Sequence, residues 1–388
     1  MEKPDNALFF EEFNEIQPYR SDDFLAALER LKNSKTLVKA IRKTVFSKVP
    51  FIFNPILNLI IRIYIRHNFK GITTSIQFQY TIIRIVVGTV VKKTISEITV
   101  SGIEKIDPNK HYLFISNHRD ITLDPALASY SMAENNLPTF EIAFGNNLLI
   151  NDLVTDLIRI NKGFIVKRNQ KPREQIESTI ILSKYIWYTL NVNDSVWLAQ
   201  REGRAKNGDD TTNPALIKML YLSQRKDGLE FSDFINRLNI VPMVLSYEFD
   251  PCDRLKAREL FRRDTNVEYK KRKDEDFLSM IQGITNFKGR VHIAYGDPLN
   301  GTWSDPKAVA DAIDTFIQSN YKLWPSNYLA YDILHSTDKY ASKYDAKYKE
   351  SFIKRFHRLP DNVKIYAYRA YAKPVENAEK FQGNGQLN

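Results

Sequence analysis

From residue 51 to residue 70 the chain reads FIFNPILNLIIRIYIRHNFK, with Asn58, Arg62, Arg66 and Lys70 at every fourth position. Ile56, Leu57, Leu59, Ile60, Ile61, Ile63, Tyr64 and Ile65 fill most of what lies between. At helical spacing this predicts one narrow polar stripe on a broad apolar surface. A second run, Tyr80 to Lys93, sets Arg84, Gly88 and Lys92 on one face among Ile and Val, and the linker HNFKGITTS separates the two. Val90 and Val91, followed by TISEITVSG, also fit the start of a strand. Neither run reaches the roughly 20 uncharged residues that span a bilayer. The pair therefore reads as amphipathic helices lying on a membrane surface. The plainer alternative is two core helices whose cations reach water along their stems.

From about residue 95 the pattern changes, and short β-branched or aromatic runs alternate with longer helical ones. That alternation predicts an α/β domain. Strands are expected near 98–100, 112–116, 141–144, 164–166, 195–199, 240–247 and 291–295, with helices over 125–134, 148–160, 173–191, 214–224 and 274–285. Beyond Trp303 the chain reads as a helical, tyrosine-rich extension, and its last stretch, AEKFQGNGQLN, as a frayed tail. The expected division is an N-terminal helical docking region over 1–94, an α/β domain over 95–302 and a C-terminal helical extension over 303–388.

Composition narrows the classes. The 388 residues are 43% apolar and 12% aromatic, enough for a large core and against wholesale disorder. The single Cys252 rules out an intramolecular disulfide, a Cys-based metal cluster or a CxxC pair, which fits a reducing setting. The start, MEKPDNALFFEEF, has neither a basic leader nor an unbroken apolar run, so no secretory signal is read there. The net charge of +10 suits nucleic acid, an anionic membrane or phosphorylated substrates equally. Its distribution decides more: no acidic residue stands between Glu29 and Glu97, across the same stretch that is most apolar. Apolar faces with cations beside them suit anionic headgroups.

Candidate chemistry emerges by elimination. The chain has no GxSxG, no Walker loop, no GxGxxG and no HExxH, and its six histidines are too scattered for a local metal cluster. His118–Asp120 spells HRD, but Pro125 stands where a kinase loop needs Asn. What remains is YLFISNHRDITLDPALAS, a strand ending in Asn117 and His118, with Asp120 and Asp124 just before a helix. A histidine can take a proton from a hydroxyl near neutral pH while a carboxylate on its far nitrogen fixes the tautomer. The competing reading makes either aspartate a helix cap and the histidine structural.

Four blocks in order resemble the glycerolipid acyltransferase family, which includes glycerol-3-phosphate and 1-acylglycerol-3-phosphate acyltransferases. They are SNHRDITLD, NKGFIVKR, AQREGRAKNG and NIVPMVLSYE, with HIAYGDPL similar to the strand that closes the domain. The resemblance covers about residues 95–300. It implies a mixed sheet flanked by helices, His118 as general base, Asp124 as its orienting partner, and Asn117 within the same block. Arg168 and Arg204 would bind an acceptor phosphate, with Glu202 and Gly203 shaping the loop. The donor would be an acyl thioester on coenzyme A or acyl carrier protein, and the acceptor a glycerophosphate or lysophospholipid hydroxyl. No metal or cofactor is implied, and the setting would be the cytoplasmic face of a membrane, peripheral or monotopic.

Two spacings depart from the family. Five residues separate His118 from Asp124 where the family has four, so the loop bulges or Asp120 becomes the partner; Pro125, suited to a first helical position, favours Asp124. Arg204 lies two residues beyond Glu202 rather than three, with Lys206 four beyond, so phosphate recognition is shared or shifted. The alternatives are a catalytically inactive relative acting as a membrane scaffold and a basic nucleic-acid-binding protein using Tyr340 to Tyr371. Nucleic acid is not the expected partner.

Overall fold

The computed structural model describes residues 11–46, 49–192, 194–225, 228–265, 270 and 275–385. The stretch 1–10, where no signal was read, lies outside these. The described strands are β1 (Ile95–Ser101), β2 (Leu113–Ser116), β3 (Glu141–Gly145), β4 (Gly163–Val166), β5 (Val196–Ala199), β6 (Ile240–Tyr247) and β7 (Gly289–Tyr295). Each overlaps a strand expected from the pattern, and with the intervening helices the fold is α/β. The chain forms two compact units, Met1–Gly88 with Pro138–Val196 and Thr89–Leu137 with Trp197–Asn388.

In the first unit, two helices that no pattern above predicted precede the apolar run: Ser21–Asn33 and Lys35–Val45. The former buries Phe24, Ala27, Leu28 and Leu31 at helical spacing, with Asp22 and Asp23 in its first turn and Arg30 and Lys32 in its last, as the helix dipole favours. Arg30 holds the buried Asp156 through two bonds of 2.8 and 2.6 Å. Helix Asn54–Asn68 carries Pro55 in its first turn and joins this core through Ile61 and Ile65, each 3% exposed. That corrects the expectation that both belong to the outer apolar surface, because Ile61, Ile65 and Phe69 form an inward line at four-residue spacing. Phe51, Ile52, Ile56, Leu59, Ile60 and Ile63 remain in solvent, Phe51 at 84%. Among the described residues no helix is long and apolar enough to cross a membrane.

The second predicted helix is not one regular element. It comprises Ser75–Phe78, a π-helical turn Gln79–Ile83 and helix Arg84–Thr94, after which β1 begins at Ile95, so no strand starts at Val90. Gln79 is buried and accepts from Thr139 Oγ1 while donating to Asn161 O at 3.4 Å. Such an extra residue in the turn is how a helix re-aims one side chain. β3 and β4 in this unit pair in parallel.

In the second unit the strands run in the order β1-β7-β6-β2-β5. β1 pairs with β7 and β2 with β6 in parallel, whereas β6 and β7 are antiparallel, which makes the sheet mixed. β6 is buried along its whole length and is not broken at Pro242. The Pro242 carbonyl accepts from Gly296 N at 2.8 Å, just past the end of β7, so the missing N–H falls where that ladder has stopped.

The C-terminal part is helical as expected, with Pro306–Asn320, Pro325–His335, Ala346–Arg355 and Asp361–Gly385. The tail expected to fray from 378 continues this last helix to Gly385, and residues 386–388 lie outside the described residues. Phe352, Phe356, Val363 and Tyr371 form the core of this region. Its tyrosines are tied to carboxylates: Tyr344 donates to Asp332, Tyr348 to Glu248 and Tyr371 to Asp253. Rings and hydroxyls used this way are poor stacking platforms for bases.

Candidate active site

The site grows from the end of β2. Ser116 closes the strand, and the next residue, Asn117, is buried with its amide shared between Leu245 N (2.8 Å), Leu245 O (3.0 Å) and Asp210 (3.1 Å). Asn117 thereby carries the β2–β6 pairing one step beyond the backbone ladder and fixes where His118 emerges. His118 is 14% exposed at its side chain, and its ring meets the edge of Trp197 on β5 with centroids 6.0 Å apart.

In the bulged loop the two aspartates take different partners. Asp120 Oδ1 accepts from Thr122 N at 2.9 Å and Leu123 N at 2.8 Å, capping the start of helix Leu123–Glu134. That cap lets the helix begin two residues before Pro125, so Pro125 sits inside the first turn rather than at its first position. Asp124, fully buried, turns Oδ2 toward His118 Nδ1 at 2.9 Å and accepts Arg119 N (2.6 Å) and Asp120 N (2.8 Å) on the same oxygen. An oxygen already accepting two backbone N–H groups is an acceptor, so Nδ1–H donates. His118 Nε2 then keeps a free lone pair, with no partner among the described residues. Burial, then the neighbouring Asp124, pushes the Asp120 carboxyl above its usual range.

The third block lies against this loop. Ala205 N donates to His118 O at 2.7 Å, which seats Arg204 next to the histidine's own backbone. Gly203 takes the left-handed φ of +74° with open space around it, a turn that Gly makes without strain. Glu202 is exposed, whereas Arg204 is buried. One Arg204 nitrogen, Nη2, donates to Ser279 Oγ at 3.3 Å, with Asp276 3.9 Å away; the other, Nη1, is buried with no hydrogen-bond partner among the described residues. Lys206, two residues further on in the block, is paired with Glu259, and burial lowers its pKa. Arg204 is thus the buried cation of the block, and it keeps donor capacity to spare.

Arg168 belongs to the first unit. Its backbone N–H donates to Asn146 Oδ1 at 3.1 Å, and its guanidinium lies so near Gly145 that a Cβ there would stand 3.0 Å from Cζ. Asn117, His118, Asp124, Gly203 and Arg204 share the second unit. Trp197 and Asp210 stand outside the quoted blocks, and Tyr247, although inside NIVPMVLSYE, was given no role there. Asp210 receives both Asn117 and the Arg119 guanidinium, and Tyr247 donates its hydroxyl to Asp124 Oδ1 at 2.8 Å. These residues stand far along the chain from His118, and no local spacing marks them.

Residues 97–232 match the model of the family described as Acyltransferase. The matched segment covers about a third of the chain, and over that segment the chain is similar to the family. The matched segment contains the first three blocks quoted above, and with them the His118–Asp124 pair and Arg204. No curated protein matches the chain. Among solved structures, the 1-acyl-sn-glycerophosphate (LPA) acyltransferase PlsC from Thermotoga maritima aligns with a TM-score of 0.37 and 13% identity, over 76% of this chain and 92% of that one.

Proposed function

We propose that the protein is a peripheral membrane O-acyltransferase that moves a fatty acyl group from a thioester of coenzyme A or acyl carrier protein to a hydroxyl of a glycerophosphate or lysophospholipid. The observation that carries the reading is the Nδ1–Asp124 bond of 2.9 Å, which orients the His118 ring and leaves Nε2 as a base. His118 Nε2 takes the proton of the acceptor hydroxyl as its oxygen attacks the thioester carbonyl. The tetrahedral intermediate collapses, the C–S bond breaks, and the imidazolium returns the proton to the leaving thiolate. Ester and free thiol are the products, and no enzyme-bound acyl group is needed. Asp124 stabilises the transient imidazolium.

Arg204 is assigned to the acceptor phosphate, since a buried guanidinium nitrogen without a partner is costly unless a ligand completes it. Arg168, half-buried past β4 in the first unit, is a second candidate for phosphate on the strength of its block alone. The exposed apolar residues of 51–63, with Arg62, Arg66 and Lys70 beside them, support docking on an anionic surface at the cytoplasmic face of a membrane.

The test offers purified protein a panel of acyl-CoA and acyl-carrier-protein donors with glycerol-3-phosphate and lysophospholipid acceptors, products being identified by mass spectrometry. A new ester with release of one thiol per turnover is expected, and His118→Ala should lower turnover by about 10²–10⁴ with the fold intact. No ester with any pair, or undiminished turnover in His118→Ala, would remove the assignment.

A further inference from the structure

Four donors hold Asp124, and they come from two places. Three, the His118 ring and the Arg119 and Asp120 backbone N–H groups, belong to the loop that carries the histidine and converge on Oδ2. The fourth is the Tyr247 hydroxyl, 2.8 Å from Oδ1, brought in by the last residue of β6. We propose that Tyr247 is the positioning residue of the His118–Asp124 pair: its hydroxyl pins Oδ1, so that Oδ2 stays directed at His118 Nδ1.

The chemistry requires such a group. A carboxylate turns readily about its last torsion, and a buried carboxylate oxygen with no donor is costly. Asp124 has no water-facing surface on which to satisfy Oδ1. Burial, then the charge of Asp124, holds the Tyr247 phenol well above its usual range, so the hydroxyl remains a donor wherever the histidine titrates. The placement is also stiff. Asn117 bonds both the N–H and the carbonyl of Leu245, two residues before Tyr247, so the segment presenting the histidine and the strand presenting the tyrosine cannot shift independently.

Tyr247 also lines a polar cavity with Arg119, Asp250, Lys256, Tyr321 and Tyr371. Lys206 and Asp253 line the same cavity, and Asp120, Arg204, Asp210 and Cys252 stand at the loop itself. Replacing Tyr247 with Phe exchanges one neutral side chain for another, so their charges are unchanged and any effect on His118 passes through the lost hydroxyl. The hydroxyl withdraws part of the negative charge on Asp124. Without it the carboxylate attracts the imidazolium more strongly, and His118 should hold its proton to higher pH.

The kinetic part of this proposal rests on the acyltransferase reading; the structural part does not. Tyr247→Phe should move the His118 titration midpoint, read by NMR of the ring, upward by about half a pH unit, a threefold change in proton affinity. The acidic limb of the kcat/KM profile should move with it, while kcat falls about tenfold and both KM values stay within about twofold. In an Asp124→Asn background the second substitution should have no further effect on kcat. Tyr295→Phe, which removes a buried hydroxyl bonded to Ser131 instead, should leave the His118 midpoint in place. An unchanged midpoint in a folded Tyr247→Phe protein overturns the proposal whether or not acyl transfer is found. A shifted midpoint in a protein that transfers no acyl group keeps the pairing and overturns only the reaction.

Discussion

Two regions, the apolar helix of the first unit and the network around the loop after β2 in the second, treat burial in opposite ways. In the first, large apolar side chains of 51–63 lie in water while only one line of the same helix reaches the core. In the second, Asn117, Arg119, Asp120, Asp124, Arg204 and Asp210 are all buried. Exposed apolar area is unfavourable for a free surface and marks a region made to be covered. Buried charge is unfavourable for stability and persists where each group is paired, or where it has work to do. The proposed docking face rests on the first of these features and the proposed reaction centre on the second.

The sharpest way to break that contrast is inside the buried network. Asp124→Asn should cut turnover by about 10²–10⁴, because an amide on His118 Nδ1 favours the wrong tautomer. Asp120→Asn keeps an oxygen for its two cap bonds and should cost under tenfold in turnover. Steady-state kinetics with matched thermal melts decides it, and a reversed ranking would give Asp120 the orienting role.

Next comes the orphan donor. Arg204→Ala should raise the acceptor KM by about tenfold or more while the donor KM changes little, as expected for a side chain that completes its bonding on the acceptor. Equal effects on both substrates would make Arg204 structural.

The docking face should respond to charge and apolar area separately. Changing Arg62, Arg66 and Lys70 to Gln should weaken binding to anionic vesicles by about fivefold per cation at low salt and leave neutral vesicles nearly unaffected. Leu59→Ser with Ile60→Ser should weaken both, since each side chain stands in solvent. Vesicle sedimentation at two salt concentrations reads the difference. Wild-type protein that stays in the supernatant throughout would end the docking assignment.

The smallest effect belongs to a buried carboxylate of the first unit. Burial raises Glu141 to about 7, beside Tyr185 and Arg20. A carboxyl whose folded pKa exceeds its unfolded value binds its proton more tightly in the native state. Its contribution to stability is therefore full below the unfolded value, near 4.5, and is lost as pH rises through about 7. Glu141→Gln should remove that slope, so its melting temperature should gain on wild type by a few degrees between pH 5 and pH 8. A difference that is constant with pH would show that Glu141 is already ionised in the fold.

The seven strands, the apolar helix and the candidates His118, Asp124 and Arg204 were legible in the sequence. Their signals are local: alternation with period two, spacing near four, and chemically distinctive residues within one block. The helices Ser21–Asn33 and Lys35–Val45 were not, because a mainly polar segment becomes helical here by packing a few apolar positions against partners elsewhere in the unit. The same limit applied to Ile61 and Ile65, whose direction depends on what lies beneath them.

Tertiary structure alone decided the choices between equals. Both Asp120 and Asp124 stand near His118 in sequence, and the cap bonds at Thr122 and Leu123 assign the first to the helix and leave the second for the histidine. Both Arg204 and Lys206 follow Glu202, and Glu259 removes Lys206 from the choice. Tyr247, 123 residues from Asp124, supplies a bond that no motif contains. The chain's periodicity determines which residues form an element and which of its faces is apolar. The partner a buried polar group finds depends on which donors the fold delivers to it, because desolvation makes an unpaired one too costly to keep.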